Sequence, residues 1–190
     1  MKDTGILFTP PNITAILENR KTQTRRIVKP QPPEGSTIWQ TDGIGDVWEV
    51  RRCDPWHSIK CPYGTVGDGL YVKEGLSRGP NGIVCWRRDG LAVYPFQDWQ
   101  WQRDTLSPLH MPKWGARLWL EITDVRLERV QEITAEDCQS EGIDCDCLDG
   151  GFDDGVAFGN FIKLWESIHG EGSWNKNPWV FVLSYKTVQP

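Results

Sequence analysis

The sequence predicts an α+β fold, a mostly antiparallel β-barrel flanked by about three helices. Several stretches alternate apolar with polar residues and are rich in β-branched or aromatic side chains, whereas only three modest segments carry helical spacing. Thirteen Pro and nineteen Gly supply the many turns that such an arrangement needs. At 190 residues the chain is long enough for a proper core and reads as one domain in preference to two small ones, with no internal repeat.

The elements follow in order. Ile6, Leu7 and Phe8 form a short apolar run that Pro10-Pro11 stops. Thr9 suits a helix cap, and Pro10 suits the first turn, where a missing N–H costs nothing. Ile13, Ile16 and Leu17 recur at helical spacing, and Asn19 accepts the left-handed conformation that closes many helices. Residues 24–29, with β-branched Ile27 and Val28, predict a strand. Over residues 30–63 Pro and Gly break any period, but Trp39, Val47, Trp48 and Val50 predict a hairpin around a turn at 42–46. Tight turns at Cys61-Pro62-Tyr63-Gly64 and Gly67-Asp68-Gly69 feed a strand at 70–74, and another strand is expected over 82–87. Residues 88–115 read as an irregular, Trp-rich insertion, and a loop of that length is usually functional or poorly ordered.

Residues 116–130 form the clearest strand. Its apolar positions are even through Leu118, Leu120 and Ile122, then odd at Val125 and Leu127, so a bulge or a sharp corner is expected at Thr123-Asp124. Thr134, with Asp137 three residues on, predicts a capped helix ending near Gly142. The acidic, Gly-rich residues 144–155 read as a loop. Phe158, Phe161, Ile162, Trp165 and Ile168 then trace one helix face up to Gly170, and residues 179–188 close as a strand.

The net charge of −5 and the pI near 5.2 argue against a general nucleic-acid coat, which needs a broad basic surface to release counterions. Residues 19–26 are the exception, because Arg20, Lys21, Arg25 and Arg26 gather there beside Thr22 and Thr24. No apolar run approaches the roughly 20 residues that span a bilayer, and the N-terminus lacks a signal-peptide core. A cytoplasmic location, no membrane partner and reduced cysteines are therefore expected.

Lys21 and Thr24 are the first chemical pair. A partly desolvated Lys can act as a base, and a neighbouring base is what a Thr hydroxyl needs to become a nucleophile. Arg20, Arg25 and Arg26 would lower the lysine's pKa further, or orient an anionic ligand. From spacing alone, a solvated basic turn accounts for the same residues.

The run from Gly5-Ile6-Leu7-Phe8 through Asn19-Arg20-Lys21-Thr22-Gln23-Thr24-Arg25-Arg26 resembles the opening of ASCH-domain proteins of the PUA-like superfamily. Their mark is a G-x-K-x-x-T/R signature after the first helix, and here Asn19 stands in place of the usual Gly. The Cys61-Pro62-Tyr63-Gly64 segment with Leu70-Tyr71-Val72-Lys73-Glu74, the strand at 118–128 and the ending around Leu164-Trp165-Glu166 and Asn177-Pro178-Trp179 are similar to a phage and prophage branch of that family. The resemblance spans nearly the whole chain and implies a barrel with helices and a cleft that binds RNA or a modified nucleobase or nucleoside. It also implies a second possibility. One bacterial relative is an amidohydrolase that deacylates N4-acetylcytidine with a Lys, a Thr three residues later and a Glu in the helix after the long strand. By position these fall on Lys21 as base, Thr24 as nucleophile and Glu141, or less well Glu136, as the carboxylate. A third reading is an accessory protein that docks another protein through its Trp-rich surface.

Other residues carry weaker chemistry. Alternation puts Glu74 on the face of Leu70 and Val72, so a buried Glu74 would need a partner such as Lys21 or Arg26, either as a structural ion pair or as part of a ligand site. Trp101 and Trp114 could stack on a base or instead cover the barrel end. Cys53, His57 and Cys61 supply three possible zinc ligands, for which Cys85, Cys145 or Cys147 would have to add a fourth from afar; free thiols are the default, and no cofactor is expected. His110 and His169 have no partner in sequence, and the sequence leaves the oligomeric state open.

Overall fold

The computed structural model describes residues 2–40, 47–51, 57–93, 98–144 and 153–188. The chain is α+β, and its sheets are mostly antiparallel. Strand β1 (Asp3–Leu7) leads into helix α1 (Pro10–Leu17), where Thr9 holds the extended cap position and Pro10-Pro11 occupy the first turn. Asn19 takes φ +56 and reverses the chain into β2 (Gln23–Ile27). Strands β3 (Thr37–Gln40), β4 (Val47–Arg51) and β5 (His57–Lys60) form an antiparallel sheet; the predicted turn at 42–46 lies outside the described residues.

Strand β6 (Gly69–Lys73) follows, then three short strands, β7 (Leu76–Arg78), β8 (Val84–Trp86) and β9 (Thr105–Leu106), which make a second small sheet in the order β8-β7-β9. The segment 88–115 is thus less irregular than its sequence predicts, because it contributes β9, which pairs with β7, and two short 3-10 turns at Pro108–His110 and Lys113–Gly115. Strand β10 (Trp119–Arg129) and the last strand, β11 (Trp179–Val188), flank α2 (Ala135–Ser140) and α3 (Asp154–His169) in sequence. Asp153 caps α3 by accepting from Val156 N, so the helix begins inside the stretch read as loop.

The main sheet runs β1-β6-β10-β11-β2, parallel only between β1 and β6. Its register slips between Ile122 and Asp124, at the predicted change of face: Leu120, Ile122 and Val125 are buried while Thr123 and Asp124 are exposed. The sheet is covered on both sides. Phe181, Leu183 and Tyr185 of β11 pack with α1 residues Ile13 and Ile16, whereas Val180 and Val182 pack with Phe161 and Trp165 of α3. Each such fully buried side chain stabilises the fold by roughly 1.5–3 kcal/mol. No pairing closes the sheet into a ring among the described residues; β1 and β2 are its edges. They approach where Arg26 Nη2 of β2 donates to Leu7 O of β1 at 2.6 Å. Among the described residues, no helix is long and apolar enough to cross a membrane.

Candidate functional site

The reversal after α1 brings the basic segment against the end of α2. Arg20 N and Lys21 N both donate to Ala15 O, and Lys21 and Glu141 form an isolated antiparallel bridge. Helix α2 is held by a reciprocal cap between Thr134 and Asp137 and ends at Glu141. The close approach requires Gly142, which sits at φ +76; a Cβ there would lie 2.9 Å from Lys21 Cβ and 3.0 Å from Ala15 Cβ.

Lys21 is consequently 2% exposed. Its Nζ donates to Glu141 O at 2.7 Å and to Glu141 Oε2 at 2.5 Å. Burial pushes the Lys21 pKa below the usual lysine value; Glu141 opposes this, while Arg26 and Arg25 add to it.

Arg25 takes the other oxygen of the same carboxylate. Its Nη1 donates to Glu141 Oε1 at 3.2 Å and to Gln23 Oε1 at 2.7 Å. Its Nε and Nη2 donate to Glu128 Oε1 at 3.0 and 2.7 Å, and Nη2 also reaches Asp137 Oδ2 at 2.7 Å. Arg126 donates in turn to Glu128 and, through Nη2, to both Asp137 oxygens at 2.8 and 2.9 Å. Burial alone would raise Asp137, but Arg25 and Arg126 outweigh it and hold the carboxyl below its ordinary value. Glu141 is thereby fixed by one cation on each oxygen.

Thr24 and Arg26 point to the opposite face of β2 from Arg25, as the two-residue period requires. Thr24 is 4% exposed, and among the described residues no hydrogen bond joins its hydroxyl to Lys21. Arg26 lies with Cζ 4.9 Å from the Phe8 ring centre, and its Nε is buried without a partner. Among the described residues no carboxylate pairs with it. Burial lowers the Arg26 pKa, against Tyr63, Glu141 and Tyr185. The Tyr185 hydroxyl is likewise buried without a partner, and burial, aided by Glu141 and opposed by Arg26, pushes its pKa up.

Beyond Arg26 lies a cavity of about 560 Å³ whose walls include Tyr63, Phe181 and Ile59. Lys21, Thr24, Glu141 and Tyr185 do not line it. Arg26 therefore belongs both to the cavity wall and to the electrostatic surroundings of Lys21.

The remaining predicted residues fall elsewhere. Arg20 is exposed and pairs with Glu18. Glu136 is exposed, which leaves Glu141 as the carboxylate beside Lys21. Glu74 is 2% exposed, but its partner is neither Lys21 nor Arg26: Arg117 grips both oxygens at 2.7 Å, with Arg88 at 3.6 Å. Trp101 packs against both Trp99 and Trp114, and all three pack on the core of the small sheet. Cys53, Cys145 and Cys147 lie outside the described residues, and Cys61 and Cys85 are in no disulfide among the described residues. Among the described residues no three His, Cys, Asp or Glu are placed to hold a metal ion.

Sequence reasoning missed Glu128, Arg126 and Tyr185, and it read Asp137 only as a helix cap. One signal was present: Arg126 and Glu128 lie two apart on one strand, so they share a face and can pair. Comparison with protein-family models, curated proteins and solved structures finds no match for the chain.

Proposed function

We propose that the chain is a PUA-like, ASCH-type module of the cytoplasm that binds a nucleobase or nucleoside, free or within RNA, in the cavity beside Arg26. The observation that carries this reading is Arg26 itself. A half-buried guanidinium whose Nε lacks an acceptor, with no carboxylate paired to it among the described residues, gains from a ligand that accepts its hydrogen bonds. Tyr63 and Phe181 add aromatic walls, and the volume falls within the roughly 300–1,000 Å³ of small-molecule sites. The test is titration of the protein with ribonucleosides, modified nucleosides and short RNAs. At least one should bind, and Arg26→Met, shown by circular dichroism to keep the fold, should weaken it. A panel with no binder would sink the reading.

The Lys21–Glu141 pair favours a second reading, deacylation of an N4-acylated cytosine. The Thr24 hydroxyl would attack the acyl carbon and pass its proton to neutral Lys21. The C–N4 bond would then break as N4 takes a proton, and water would release the acid from Thr24. Glu141 would steady the lysine and move the proton. Because the cavity stops at Arg26, this chemistry needs that side chain to swing aside. Release of cytidine from N4-acetylcytidine should disappear in Thr24→Val; release that survives rules the mechanism out.

A further inference from the structure

The cavity has a second feature that nucleobase recognition does not use. Lys29, Lys60 and His169 line it together with Arg26, and among the described residues no Asp or Glu lines it, in a chain whose net charge is −5. The three come from separate parts of the fold: Lys29 follows β2, Lys60 ends β5 and His169 ends α3. Their convergence is therefore a product of tertiary structure and not of one basic run. His169 feels it: burial first, then Arg26 and Lys29, lower its pKa, with no opposing carboxylate. The wall is also preformed. Gln31 donates to Val28 O and Trp179 O at 2.8 and 2.9 Å and accepts from Trp179 N at 2.8 Å, which ties the segment after β2 to β11. Pro30, Pro32 and Pro33 restrict the same segment.

We infer that this wall holds a phosphate group, so that the ligand is a nucleotide or a nucleotide within an RNA strand and not a free nucleoside. The inference rests on the nucleoside reading above for the rest of the ligand. Lys29 and Lys60, both exposed at their positions, would supply the mobile point charges, and Arg26 the planar donors deeper in. Aromatic and apolar residues lining the same cavity as cationic ones match the two ends of a nucleotide, base and phosphate.

The experiment compares, on the full chain, a nucleoside, its 5′-monophosphate, an oligoribonucleotide containing it, and inorganic phosphate and pyrophosphate. The wild type should bind the monophosphate at least tenfold more tightly than the nucleoside. Lys29→Ala/Lys60→Ala should remove roughly that factor from the ratio of monophosphate to nucleoside affinity, the order expected of two screened phosphate contacts. Tighter binding of the oligonucleotide than of the monophosphate would identify the RNA backbone as the source of the phosphate. Equal affinity for nucleoside and monophosphate overturns the inference and leaves the nucleoside reading standing. Binding of pyrophosphate alone, lost in the double variant, supports the anion wall and overturns the nucleoside reading. A phosphate preference that survives the double variant, or no binding to any probe, overturns the assignment to this wall.

Discussion

Replacing Arg25 with Met should cost about 3 kcal/mol of stability, the lower end of what breaking a buried ion pair costs. The structure sets the figure there. The Arg25 side chain is 1% exposed and faces Glu128, Asp137 and Glu141, whose side chains are 13%, 15% and 6% exposed. None of the three is left alone by the substitution, because Glu141 keeps Lys21 while Glu128 and Asp137 keep Arg126. The loss should depend on pH. Asp137 is held below its ordinary value of 3.8, so its pairing contributes fully above that value and fades as pH falls through the lower native one. Urea unfolding followed by tryptophan fluorescence at pH 7 and near pH 3 should thus show a large difference between wild type and variant at the first and a reduced one at the second. A loss below about 1 kcal/mol at pH 7, the size of an exposed pair, would refute the reasoning, as would an equal loss at both pH values.

Two other substitutions test the surroundings of the site and the second polar cluster. Gly142→Ala places a methyl group 2.9 Å from Lys21 Cβ at a positive φ, and should cost about 2 kcal/mol in the same urea assay. Among the described residues Arg117→Met leaves Glu74 with only Arg88 at 3.6 Å, and should cost about 3–5 kcal/mol; adding Glu74→Leu should restore much of that, since a buried pair replaced by apolar groups is often neutral.

Where a signal is local, the sequence shows it. The cap of α2, the reversal at Asn19 and the slip of β10 near Thr123 were all legible, because each depends on residues within one or two turns or on strand alternation. Short strands carry no period, which is why β7, with three residues, and β9, with two, could not be read in 88–115 and its approach. The candidate site is mixed. Nothing in the pattern alone pairs Lys21 with Glu141 across 120 residues, and only the family resemblance directed attention there. For Glu74, alternation did predict burial and the need for a cation, but not which one, because Arg117 lies 43 residues away on a different segment.

Arg25 and Arg26 show why residue type alone misleads. In sequence they are one cationic pair with nothing to tell the two apart as ligand contacts; on β2 they face opposite sides of the sheet. Arg25 turns toward α2 and is neutralised by three carboxylates, so it has no hydrogen-bonding capacity to offer a ligand beyond fixing Glu141. Arg26 turns toward Phe8 and the cavity, with a buried Nε that no acceptor satisfies. A neutralised arginine organises protein, whereas an unsatisfied one at a cavity wall attracts what the protein lacks. The same strand therefore supplies the fixed side of the site through Arg25 and its open side through Arg26, and under the proposed function a ligand would enter from the Arg26 side. On that path Arg26 would meet the ligand before Lys21. In the proposed scheme binding would thus be possible without chemistry, while chemistry at Lys21 and Thr24 would first have to engage or displace Arg26.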